Sequence, residues 1–313
     1  MKSLLLILVM LIQGPHHGQW ALVKWFGVEE KIWHLLPSDS VFLLSTTPQI
    51  QAEIEKRQEK FRSLTRSRCP LGMAFVEGPM RDPADTLRRQ NAACLDGRGW
   101  KPGLLCQHFD ESLLAPDSAH HRELSFCIDI LEFPNIPGEY PATLVSYQGA
   151  QTLCRAQGKH LCREHEWTFA CEGPSALPYP HGYHRYLDPG ASFPDRIPVD
   201  GECNFDQLKL SAVNGTRLLS NPYSLEAMLE LDKTWRGTVA GQREECVSPF
   251  GVMDLTGNIE EWVESDGHLS TLKGGYWAPV QARCQMAERA HGPKHRYYQT
   301  GFRCCAKAQS LTH

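Results

Sequence analysis

The first 68 residues contain no cysteine, although the 313-residue chain holds twelve. None of the twelve stands in a C-x-x-C spacing, which removes zinc ribbons and thioredoxin-type redox motifs from consideration. The apolar run Leu4 to Ile12 falls well short of the roughly 20 residues that span a bilayer, so no transmembrane segment is expected. A formal net charge of -4 leaves no basic surplus, and neither nucleic acid nor an anionic membrane is expected as a partner. Internal repeats and low-complexity tracts are absent too, so solenoids and linker-rich chains do not apply.

What is present points to export. Lys2, the apolar run and Gln13-Gly14-Pro15 have the order of a secretory signal peptide, here placed at residues 1–19. Twelve cysteines behind such a segment imply an oxidising compartment, periplasmic or extracellular, and up to six bridges. A 42% hydrophobic content over this length can bury a sizeable core.

Residues 20–68 form an N-terminal segment. Within it 48–66 reads as a charged spacer helix with a thin stripe of Ile50, Ile54, Phe61 and Leu64. From Cys69 onward, Pro, Gly and Cys become frequent and apolar runs shorten. "GMAFVEG" (72–78) reads as a strand ended by Gly78, and "ELSFCIDILEFPN" (123–135) alternates like a strand. Residues 80–121 show no periodicity and read as a long loop held by disulfides. Ser146 can cap a helix running to Ala156, and "CREHEWTFACEG" (162–173) reads as a second short helix with Trp167 and Cys171 one turn apart. The expected fold class is α+β, irregular and loop-rich, in one domain over 69–313.

Several phrases stand in a characteristic order: "GMAFVEG", "FCIDILEFPN", "LVSYQGAQTLCRAQGKHLCREHEWTFACEG", "YPHG", "CN", "GVMDLTGNIEEW", "LKGGYW" and "GFRC". Over roughly residues 69–306 the chain resembles the sulfatase-modifying-factor family, best known for the formylglycine-generating enzyme. The resemblance implies a disulfide-rich domain related to the C-type lectin fold, often with structural calcium. By family position it also implies a Cys154–Cys304 disulfide.

The family's oxidases hold Cu(I) between two cysteines five residues apart after a Gly-Gly, and soft thiolates suit that ion. Here the second position is Cys284, but the first is Pro279. The family's Gly-Gly-Ser reads Gly-Gly-Tyr276, and its Trp-Glu-Trp reads Glu260-Glu261-Trp262. Copper is therefore not expected. Cys284 is expected as half of a disulfide, with its partner left open along with those of Cys162, Cys171 and Cys305. As a free thiolate it is a weak catalytic candidate that would need a neighbouring base or cation, Arg283 and His291 being near in sequence.

For calcium, the resemblance implies carboxylates from Asp254 and Glu261 and backbone carbonyls from Gly257 and Ile259, a hard-oxygen set that suits the ion. Asn204 and Phe205 match part of a second calcium site, with Asp232 as a candidate completion. Iron is not expected. The family's iron-dependent relatives add a helical bundle, and Gly292-Pro293 keeps His291 and His295 from sharing a helix face. Asn214-Gly215-Thr216 is a glycosylation sequon.

Two functions fit these residues. One is a secreted binding or envelope protein that has lost one copper cysteine, with a peptide or glycan in a cleft lined by Tyr276, Trp277 and Trp262. The other is an oxygen-dependent oxidoreductase acting on peptidyl cysteine through a metal site of another kind. The family is an oxidoreductase family with its site incomplete here, so enzyme activity is left open at this stage.

Overall fold

A computed structural model describes residues 48–95, 106–114, 121–185, 203–204, 235–265, 267–277 and 282–310. The signal-like segment, Phe205, Asp232, Pro279 and the Asn214 sequon lie outside the described residues.

The two runs read as strands in the sequence are the long strands of the first sheet and pair with each other. Strand β1 (Met73–Arg81) pairs antiparallel with β2 (His121–Asp129), from Met73 opposite Asp129 to Arg81 opposite His121. Gly78 does not end β1 as the sequence suggested. It sits inside the ladder opposite Leu124, and pairing continues to Arg81. The sheet is completed by β8 (Cys304–Lys307) and β3 (His160–Leu161), in the order β1-β2-β8-β3. A second sheet runs β6-β5-β4-β7, from β4 (Glu260–Val263), β5 (Thr271–Lys273), β6 (Ala287–Glu288) and β7 (Thr300–Phe302). Its β4–β7 pair is parallel.

Helix α1 (Pro48–Gln58) passes through a 3-10 turn (Glu59–Phe61) into α2 (Arg62–Thr65). Ile54, Gln58, Phe61 and Thr65 are buried, a stripe at helical spacing. Gln58 Nε2 donates to Asn135 O at 2.6 Å, and Arg57 Nη1 pairs with Glu139 at 2.7 Å. The segment read as a spacer is therefore docked on the domain through its polar residues as well as its apolar ones.

Residues 80–121 also differ from expectation, because α3 (Pro83–Ala92) lies within them, followed by α4 (Glu111–Leu114). Asp82 Oδ1 accepts from Asp85 N at 2.8 Å and Pro83 takes the first helical position. That start signal is visible in "DPAD" and outweighs the missing apolar stripe. Helix α5 (Tyr147–Ala156) begins as expected, with Ser146 Oγ accepting from Gly149 N at 3.1 Å. Helix α6 (Glu164–Glu172) buries Trp167, Phe169, Ala170 and Cys171.

All six disulfides fall among the described residues: Cys69–Cys127, Cys94–Cys106, Cys154–Cys304, Cys162–Cys305, Cys171–Cys284 and Cys203–Cys246. Cys304 and Cys305 are neighbours on β8, so their side chains leave opposite faces. One is tied to α5 and the other to the start of the α6 segment. The two largest apolar cores among the described residues lie on either side of β8. One packs β1 and β2 on α6 with Trp167 and Ile128, and the other packs α5 on Trp262, Phe302 and Leu272.

Peptide mapping under non-reducing conditions should recover these six pairs, and Cys154 linked to any residue but Cys304 would overturn the arrangement. Cys154 and Cys304 are 150 residues apart. Replacing both with alanine should cost up to about 5 kcal/mol in a denaturant titration, the chain-entropy value for a loop of that length.

Candidate functional site

The "GNIEEW" and "GFRC" phrases meet at a buried ion pair. Arg303 Nε donates to Glu261 Oε2 and Nη2 to Oε1, both at 2.7 Å. Nη1 donates to Asp129 O and Ile130 O at 3.1 Å, and Nη2 also donates to Met253 O at 3.0 Å. Every guanidinium N–H therefore has an acceptor, and both side chains are withdrawn from solvent. Glu261 Oε2 accepts a further bond from Trp167 Nε1 at 2.9 Å.

This pair engages part of the calcium set drawn from the sequence. Both oxygens of Glu261 are committed to N–H donors, and Asp254 Oδ2 accepts from Gly241 N at 2.8 Å. Asp254 Oδ1 has no donor among the described residues. Glu261 therefore serves Arg303 in this arrangement, and the Arg303 charge also acts on Asp254. Burial lifts Asp254 to about 6. Glu132, which accepts from Asn258 Nδ2 at 2.7 Å, is held well above the usual carboxylate range by burial and by the charges of Asp254 and Glu261. In the second set, Asn204 Nδ2 donates to Asn258 Oδ1 and Arg236 O, both at 2.9 Å, while its Oδ1 has no donor among the described residues.

The Gly-Gly turn lies beside Trp167. Gly274 has φ +87°, and a Cβ there would stand 2.8 Å from Leu255 O and 3.2 Å from the Trp167 ring. A side chain at this position is excluded twice over, by conformation and by space. Ten residues on, Cys284 is bonded to Cys171 in the last turn of α6, and both sulfurs are buried. Cys284 therefore offers no thiolate, and its candidacy as a catalytic group falls. It does not fit a copper-thiolate site in this state either. Arg283 donates to Asn91 Oδ1 at 2.9 Å and lies over the Phe109 ring, while His291 stacks on His295 at 3.9 Å. Neither is engaged with the sulfur.

Around the disulfide, sequence reasoning missed two ionisable groups. Glu172 follows Cys171, is fully buried, and accepts from Gln285 Nε2 at 2.6 Å through Oε2, while Oε1 has no donor among the described residues. Burial pushes it to about 8. Lys273 ends β5 with its ammonium 5.3 Å from the centre of the Trp167 ring, and burial brings it down to about 8. No sequence pattern marks either one, because strand and helix periodicity alone cannot show that both faces of β5 are covered.

The predicted aromatic cleft is largely interior. Trp262 is 1% exposed and donates from Nε1 to Val145 O at 2.7 Å. Trp277 is fully buried, 4.4 Å from the Trp235 ring centre, with Tyr276 and Tyr298 packed beside it. Trp262 and Trp277 are thus core residues, as their large apolar area favours, and Tyr276 is 9% exposed. Burial and the neighbouring Glu260 charge push the Tyr276 hydroxyl to about 12. Glu260, where the resemblance has tryptophan, is half-buried and pushed to about 8 by desolvation and by Glu288. Tyr140, His295 and Tyr297 form the half-exposed rim of this group.

The domain described as sulfatase-modifying factor enzyme 1-like matches residues 134–308, more than half of the chain. Among solved structures, PvdO from Pseudomonas aeruginosa is 18% identical with a TM-score of 0.43, covering 75% of this chain and 94% of PvdO. The crystal structure of CarF is 14% identical with a TM-score of 0.41, covering 61% and 91%. Treponema denticola variable protein 1 is 13% identical with a TM-score of 0.38, covering 60% and 88%. No curated protein matches.

Replacing Arg303 with methionine leaves Glu261 charged, buried and unpaired. It should cost about 3–5 kcal/mol in urea unfolding, and Arg303→Met with Glu261→Gln should recover part of that loss. Full stability in Arg303→Met would refute the pairing. A second expectation concerns pH. Folded Glu172 keeps its proton to about pH 8, whereas an unperturbed glutamate releases it near 4.5. Between those values the folded state binds the extra proton, so this contribution is complete below pH 4.5 and is lost as pH rises to 8. The pH–stability curve of Glu172→Gln should therefore be flatter than wild type across that window, and parallel curves would count against it. Lys273 acts in the opposite sense only above about 8, where its lowered value lies.

Proposed function

Because the chain belongs to the sulfatase-modifying-factor family, we propose that it is an exported member that uses the scaffold for binding rather than for cysteine oxidation. The observation that carries this reading is the Cys171–Cys284 bond. The cysteine that aligns with the family's second copper ligand has spent its thiol on α6, and the first position is Pro279, which has no ligand atom. Export is supported by the Leu4–Ile12 run with its flanks and by six disulfides, since such bonds persist in oxidising compartments. Among the described residues no helix is long and apolar enough to cross a membrane. The mature protein in this reading comprises the docked N-terminal segment and the domain from residue 69.

The ligand is a peptide or a glycan. Tyr276, Trp277, Trp235 and Tyr298 form the buried floor of its site, and the half-exposed Tyr140, His295 and Tyr297 give it flat faces to touch. Ring faces of this kind pack on extended peptide or on sugar without needing an ion. Calcium at Asp254–Glu261 is left out of this reading, because Glu261 serves Arg303.

Purified mature protein incubated with copper, oxygen and a cysteine-containing sulfatase-type peptide should leave the peptide mass unchanged. Conversion of the cysteine to formylglycine would sink the binding reading and require a different ligand set for oxygen activation.

A further inference from the structure

The site lies at the other end of the chain's middle segment, in residues that the family alignment phrases do not use. Arg185 N donates to Gln107 O at 2.7 Å, and Phe109 N donates to Tyr183 O at 3.1 Å. These two bonds flank an antiparallel bridge between His108 and His184. Such spacing makes the two histidines a non-hydrogen-bonded pair, the register in which facing side chains approach most closely. Their imidazoles meet with Nδ1 of one 3.1 Å from Nδ1 of the other.

We propose that His108 and His184 form a binding site for one borderline divalent cation of the copper, nickel or zinc type. Two imidazole nitrogens, each about 2.0–2.1 Å from one ion, stand about 2.9 Å apart at a right angle and about 3.4 Å apart at the tetrahedral angle. The observed 3.1 Å separation falls between these limits. Glu111 Oε1 lies 4.0 Å from His184 Nε2. Its carboxylate places a negative charge beside the pair, which favours a bound cation.

Both strands are held before any ion arrives. The Cys94–Cys106 bond and the Tyr179 hydroxyl, which donates to Cys106 O at 2.7 Å, fix the first. His181 Nε2, 2.9 Å from His184 O, steadies the second. His181 itself is no ligand, because its Nδ1 faces Cys203 Sγ at 3.5 Å. The His184 side chain is 43% exposed, so a cation and water have access. Among the described residues no group of three His, Cys, Asp or Glu gathers round an ion. Two imidazoles with water in the remaining positions give micromolar affinity rather than that of a closed structural site.

Metal-stripped protein should be titrated calorimetrically with Cu²⁺ and with Zn²⁺. One equivalent should bind with a Kd of about 10 μM or tighter, weakened at least roughly tenfold in His108→Ala and in His184→Ala and unchanged in His291→Ala. Pulsed electron paramagnetic resonance on the unmodified protein with one equivalent of Cu²⁺ should show two imidazole ligands, which decides the matter even if a variant fails to fold. Unchanged affinity in both variants, or a spectrum with fewer than two imidazoles, overturns the proposal and leaves the pair as a hydrogen bond alone.

Discussion

The guanidinium of Arg303 ties together segments that are far apart in the chain. It reaches the end of β2 through Asp129 O and Ile130 O, the loop before β4 through Met253 O, and β4 itself through Glu261. β2 belongs to one sheet and β4 to the other, so a single side chain joins the two halves of the fold. A buried charge is tolerated only when its partner and its remaining donors are satisfied. Trp167 extends the pair into the first core, since its indole N–H completes Glu261 while its ring packs beneath Gly274. Displacing any one of these groups leaves others buried and unpaired, which makes this junction the most constrained place in the molecule.

The disulfides act on the same junction from outside. Cys304 and Cys305 follow Arg303 directly and bind opposite neighbours, so the strand that begins beside the arginine is held on both faces. Cys304 N also donates to Asp129 Oδ2 at 3.1 Å, while Asp129 Oδ1 pairs with Lys159 at 2.6 Å. Regular sheet is scarce because most strands are only two to four residues long. Covalent links and buried polar bonds replace the ladder hydrogen bonds that longer strands would supply.

The Gly-Gly turn and Cys284 show how one scaffold separates packing from chemistry. Gly274 is required by the close approach of Leu255 O and Trp167. That requirement persists whatever chemistry occupies the pocket beyond it. Cys284 stands where the family resemblance places a metal ligand, yet it is bonded to α6. In this chain the turn and the ion pair serve packing, and the site rather than the fold decides function.

The family, the disulfide-rich α+β character and the starts of α5 and α6 were legible in the residues, because caps, turn glycines and cysteine content act locally. Helix α3 was legible in principle through Asp82 and Pro83 but lacks an apolar stripe, since it buries Thr86 and Gln90 instead. The depth of the aromatic residues was not legible. Tyrosine and tryptophan suit both cores and clefts, and only the surrounding packing separates Trp262 and Trp277 from the rim. Nor did sequence order show that Glu261 would meet Arg303, or that Cys171 would reach Cys284. Those partners lie 42 and 113 residues apart. A side chain's chemistry follows from its type, whereas its counter-charge or bonding partner is chosen by tertiary geometry, which brings distant segments within about 3 Å of one another.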